Sequence, residues 1–79
     1  MDTEDIRTLP LGQIEFIVKL YESPNKRSFA ESKQQGSYSK QLHEKGWIIP
    51  AGSIKRRVRW ELVKEFSPSE IKLMKDLLK

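Results

Sequence analysis

The sequence predicts a small α+β domain in which a three-helix core carries a two-stranded, strongly basic β-hairpin and is followed by a carboxyl-terminal helix. Three observations predict this. Apolar residues recur at helical spacing near the start, Gly46 separates a polar helical stretch from two β-rich runs, and Ser67-Pro68-Ser69-Glu70 opens a last amphipathic stretch. With 79 residues the chain makes one domain. A chain of that size buries only about 60% of its unfolded surface, so a partner subunit or nucleic acid would add useful stability.

The first helix is expected from about Leu9 to Glu22. Thr8 is a suitable N-cap and Pro10 suits the first turn, while Leu11, Ile14, Ile17, Val18 and Tyr21 form an apolar stripe that Phe16 and Leu20 widen. Residues 1 to 7 read as an acidic tail and residues 8 to 79 as the domain. Ser23-Pro24-Asn25 ends the helix, because proline disfavours helix in the residue before it. A short second helix is expected near Ser28 to Gln34, anchored only by Phe29 and Ala30.

The third helix is expected from Lys33 or Ser37 to Lys45, with Gly36 favouring the later start. On a helical wheel Tyr38 and Leu42 mark the buried side, and Lys33, Ser37, Lys40 and Glu44 fall opposite, flanked by Ser39, Gln41 and His43. Gly46 supplies the left-handed residue that ends it. The wheel alone fits an ordinary surface helix equally well.

The hairpin is expected over about 47 to 63, with Trp47-Ile48-Ile49 leading to a turn at Ala51-Gly52-Ser53. In the returning strand Ile54, Val58, Trp60 and Leu62 share one face, and Lys55, Arg57, Arg59 and Glu61 the other. Arg56 breaks the pattern, which a tip projecting beyond the core would tolerate. Lys55, Arg56, Arg57 and Arg59 put four cations in five positions, more than protection of an edge strand requires.

The last helix is expected from Pro68 to about Leu78. Ser67 and Glu70 make a capping box, proline takes the first helical position, and Phe66 can staple onto Ile71. Its apolar positions Ile71, Met74, Leu77 and Leu78 either pack back onto the first helix or pair two copies of the chain.

Charge is segregated along the chain. Residues 1 to 24 hold two cations against five anions, residues 25 to 59 hold nine against two, and the rest balance, so the net +4 comes from the middle of the chain. Scattered Lys and Arg usually mean a solvated face. Here a polar helix, a glycine stop and a basic hairpin follow one another, as they would in a protein that sets a helix into a DNA groove and grips the neighbouring phosphates.

Other classes have little support. There is no cysteine and one histidine, which excludes disulfides and zinc fingers. His43 has no obvious catalytic partner, and Gly12, Gly36, Gly46 and Gly52 are isolated and form no phosphate-binding loop. No enzymatic activity, cofactor or metal is expected. No stretch approaches a membrane span, and an acidic amino terminus is unlike a signal peptide, so a soluble cytoplasmic protein is expected.

In this order of elements the chain resembles the winged helix-turn-helix family of small DNA-binding regulators. The resemblance covers about residues 8 to 79 and is most specific at Leu42-His43-Glu44-Lys45-Gly46-Trp47-Ile48, which looks like the end of a recognition helix. Arg56-Arg57-Val58-Arg59-Trp60-Glu61-Leu62 is similar to a wing's returning strand. The resemblance implies sequence-specific binding of double-stranded DNA and transcription regulation. Lys33, Ser37, Ser39, Lys40, Gln41 and His43 would lie in or near the major groove, and Lys55, Arg56, Arg57 and Arg59 on the backbone. A homodimer through Ile71, Met74, Leu77 and Leu78 would suit a two-half-site operator. The alternative from another class is an adaptor that binds a protein through Trp47, Trp60 or the last leucines; an RNA-binding module is a third reading.

Overall fold

A computed structural model describes residues 6 to 79; the acidic residues 1 to 5 lie outside the described residues. Three α-helices and a three-stranded antiparallel sheet alternate along the chain: α1 (Leu11–Glu22), β1 (Arg27–Phe29), α2 (Lys33–Glu44), β2 (Ile48–Ile54), β3 (Arg57–Leu62) and α3 (Pro68–Leu77). The sheet order is β1-β3-β2.

The stripe on α1 is the centre of the core. Ile14, Phe16, Ile17 and Leu20 are buried there, joined by Leu42 from α2, Ile48, Trp60 and Leu62 from the hairpin, and Ile71 and Met74 from α3. Pro10, not Thr8, is the N-cap, and its carbonyl accepts from the amides of Gln13 and Ile14. Thr8 instead closes a single 3-10 turn begun by Ile6, whose side chain belongs to the core with Leu9. At the other end Ser23 Oγ donates to the Lys19 carbonyl at 2.6 Å before Pro24 stops the helix.

No helix forms near Ser28. Arg27–Phe29 is a short strand instead, paired with Arg59 to Glu61, and Arg27 Nε bonds Glu61 Oε1 at 2.9 Å. Two apolar anchors could not hold a helix, whereas cross-strand partners hold a strand of three. α2 then begins at Lys33 and runs straight through Gly36. Ser32 is its N-cap, with Oγ accepting from the Gln35 amide at 3.1 Å. Its end is a complete Schellman motif: Gly46 has φ 80, its amide bonds the His43 carbonyl, and the Trp47 amide bonds the Leu42 carbonyl.

The hairpin is longer than the glycine suggested. Its turn is Lys55–Arg56, between the paired residues Ile54 and Arg57, and both turn residues have positive φ, 50 and 70. Two-residue loops of that kind follow the twist of the strands. Ala51 and Gly52 form a bulge in β2 between Pro50 and Ser53, with Gly52 at φ 117. Arg56 therefore breaks the strand pattern because it lies in the turn. Ile54 leaves the face of Val58, Trp60 and Leu62 and pairs with Arg57. Along β3 exposure falls from 38% at Val58 to 9% at Trp60 and 4% at Leu62, so the tip projects from the core.

α3 carries the expected capping box: the Ser67 amide donates to Glu70 Oε1 at 2.8 Å and the Glu70 amide donates to Ser67 Oγ at 3.2 Å. Ile71 and Met74 are spent on the core, which corrects their assignment to a dimer surface. Leu77 and Leu78 pack partly against that core. So small a domain needs α3 to close its apolar side.

Candidate nucleic-acid interface

α2 and the projecting hairpin tip stand on either side of one open cleft of about 280 Å3. Lys40 borders it from the helix, Arg56 and Arg57 from the tip, and Val58 and Trp60 give it an apolar wall. The strand and the helix thus bring together cations that lie sixteen and more positions apart.

On α2, Lys33, Ser37, Lys40, Gln41 and His43 are exposed. Ser39 is not. At 1% exposure it faces the interior and its Oγ donates to the Gly36 carbonyl at 2.7 Å, so it cannot reach a base. The buried arc of the helix centres on Ser39 and Leu42, because α2 is held between α1 and the sheet. His43 leans on Trp60, the rings 5.2 Å apart and tilted by 54°. Gln41 is tied to the core helix: its Oε1 accepts from Gln13 Nε2 at 2.6 Å, and its amide nitrogen supplies two donors besides. Gln13 is buried, and its own Oε1 has no hydrogen-bond partner among the described residues.

The four hairpin cations divide. Lys55 and Arg56 occupy the turn, with side chains exposed. Arg57 and Arg59 lie over the Phe29 ring, their guanidinium carbons 5.5 and 5.2 Å from its centre. Cation–π contact of this sort holds a guanidinium plane in place while leaving its edge open. A second cleft lies beside it, bordered by Ser23, Asn25, Arg27, Phe29 and Arg59.

Lys19 was not legible as a site-building residue, yet it joins three elements. Its ammonium meets Glu31 at 3.0 Å, donates to the Phe29 carbonyl at 2.9 Å and reaches Gln35 Oε1 at 3.1 Å. It fixes the chain between β1 and α2, and with it the wall that α2 offers to the cleft. The hydrogen bond from Lys19, and then its charge, hold the Glu31 carboxyl below the usual carboxylate value, with Arg57 adding to the effect.

Trp60 is a core residue. Trp47 is half-buried, edge-on to Phe66 with centres 5.8 Å apart, and Lys45 and Lys64 each lie 5.1 Å from its ring centre. No helix among the described residues is long and apolar enough to cross a membrane, and no group of three or more His, Cys, Asp and Glu side chains among them could hold a metal ion. No protein-family model matches the chain, and no curated protein or solved structure matches it either.

Proposed function

We propose that this domain binds double-stranded DNA as a winged-helix-like module and regulates transcription, with α2 in the major groove and the β2–β3 tip on the adjoining phosphates. The observation that carries this reading is the shared cleft: Lys40 of α2 and Arg56 and Arg57 of the hairpin border one concavity. A helix 12 residues long spans about 18 Å, which suits one groove crossing. The sheet order, with β3 between β1 and β2, supports the hairpin as a wing. One feature of the pattern differs. β1 and its exit loop stand where a helix-turn-helix has its first helix, so α2 is braced by α1 and the sheet alone.

Within this reading Lys33, Ser37, Lys40 and Gln41 face bases and nearby phosphates, His43 lies at the margin, and Lys55, Arg56, Arg57 and Arg59 supply most of the backbone affinity. One observation favours a protein partner instead: Ile49, Ile54 and Val63 are 42%, 51% and 41% exposed along the hairpin.

Fluorescence anisotropy of a random duplex across a salt series separates the two, with an acidic polypeptide as control. DNA binding gives affinity that falls steeply with salt and weakens when Arg56 and Arg57 become alanine. Flat, weak binding that is indifferent to those arginines rejects the DNA reading and favours the apolar hairpin edge.

A further inference from the structure

We propose that the cleft between α2 and the hairpin tip is a subsite for a single nucleotide unit, with its phosphate between Lys40 and Arg56 and its base against Val58 and Trp60. The proposal builds on the DNA-binding reading and adds the chemistry of the pocket.

The first observation is a glycine without a structural reason. Gly36 lies inside α2, has no left-handed backbone angle, and a Cβ built on it meets nothing within 4 Å. Neither conformation nor packing therefore calls for glycine, although it is the least favourable residue inside a helix after proline. Gly36 borders the cleft, and so do Ala30 and Ser32, which are also short. One wall is thus cleared of side chains along its length, which lets a ligand approach the helix backbone closely.

The second observation is the make-up of the other sides. Lys40, Arg56 and Arg57 border the cleft and no carboxylate does, and Val58 and Trp60 add apolar surface; because the Arg57 guanidinium lies over Phe29, Lys40 and Arg56 are the cations left for a ligand. Arg56 is held there by a turn with φ 70. A bare anion would use the cations and leave the apolar wall wet; a hydrocarbon would leave the cations unused. A flat, weakly polar ring joined to a phosphate uses both. The volume, about 280 Å3, lies just below the roughly 300–1,000 Å3 of pockets that take larger ligands, as befits one nucleotide. The unit has two possible sources, a free nucleotide or an unpaired nucleotide of a bound strand, since a base stacked within the duplex cannot enter the cleft.

Amide and indole NMR shifts of the full chain test this with four probes: thymidine 5′-monophosphate, thymidine, inorganic phosphate and a short oligothymidylate. The expected result is that the monophosphate moves Gly36, Lys40, Arg56 and the Trp60 indole, with thymidine and phosphate each binding about tenfold or more weakly. Gly36→Met abolishes the response, and Gly36→Ala, which raises helix propensity and so folds, weakens it. Tighter binding of the oligonucleotide assigns the subsite to a strand; tighter binding of the monophosphate assigns it to a free nucleotide. Phosphate binding as well as the monophosphate overturns the proposal, as do unmoved cleft signals at millimolar ligand. Salt-dependent duplex affinity with a silent cleft refutes this subsite alone, whereas nucleotide binding without duplex affinity refutes the DNA reading and leaves the subsite standing.

Discussion

The double substitution Lys55→Asn with Arg56→Gly should stabilise the protein and, if the tip contacts DNA as proposed, weaken DNA binding at once. Lys55 and Arg56 both sit at positive φ, 50 and 70, in the two-residue turn that joins Ile54 to Arg57. An ordinary residue in that region is disfavoured by about 1–2 kcal/mol, and Asn-Gly is the pair best suited to such a turn. Relieving two residues is worth about 2–4 kcal/mol, from which the extra freedom of glycine in the unfolded chain removes about 1 kcal/mol. The expected gain is thus about 1–3 kcal/mol, and each 1 kcal/mol raises the melting temperature of a domain this size by about 4–8 °C. The same change removes two cations from the tip. If each neutralises one phosphate, the slope of log affinity against log salt becomes shallower by about 1.8. Thermal unfolding followed by circular dichroism and the anisotropy salt series read the two effects on one sample. A variant no more stable than the parent would refute the strain argument, and an unchanged slope would remove the tip from the interface.

Other contacts give separate outcomes. A Cβ on Gly12 would overlap the Tyr38 ring, so Gly12→Ala should lose up to about 2 kcal/mol, overpacking of about 1–3 outweighing about 1 of helix propensity; in a Tyr38→Ala background, urea unfolding should show the same substitution stabilising. Lys19→Met keeps the apolar stem and drops all three polar contacts, and losing the charged hydrogen bonds to the Phe29 carbonyl and Gln35 is expected to cost about 1.5–3 kcal/mol in chemical denaturation, without a share for the exposed Glu31 pair. Because Glu31 titrates below its unfolded value, its pairing with Lys19 is fully present above the ordinary carboxylate range and disappears as pH falls through the lowered folded value. Lys19→Met should remove that part of the acid limb, and an unaltered acid limb would show the pair to be idle. Met74 is fully buried, and Met74→Ala should cost about 2–5 kcal/mol with a midpoint that does not depend on protein concentration, as a core residue requires and a dimer contact does not.

Local signals were the ones the sequence carried clearly. The capping box at Ser67 and Glu70 and the Schellman end at Gly46 are made by neighbours in the chain, and α1 declares itself by its apolar period. What the residues hid depends on distant partners. β1 has three residues and owes its existence to β3, with Arg27 bonded to Glu61 across 34 positions. Gly52 carries turn chemistry but serves a bulge, while the true turn falls on Lys55 and Arg56, which no intrinsic preference would select; strand register put it there. Ser39 is polar, which points it toward solvent or DNA, yet its hydroxyl is satisfied by the helix's own Gly36 carbonyl and the residue can be buried. The exposed cations of α2 and the tip were readable one by one. Their meeting across a cleft floored by Trp60 was not, because it follows from how far the hairpin projects.

The proposed function requires α2 and the hairpin tip to engage the same duplex. Isotope-edited NMR of the protein mixed with a duplex would read this, through contacts between protein side chains and assigned DNA protons. Contacts from Ser37, Lys40 and Gln41 to major-groove protons such as thymine methyls, together with backbone-sugar contacts from Lys55 and Arg56, are the expected result. Contacts confined to the tip, with the side chains of α2 unmoved, or a response centred on Ile49, Ile54 and Val63, would contradict it.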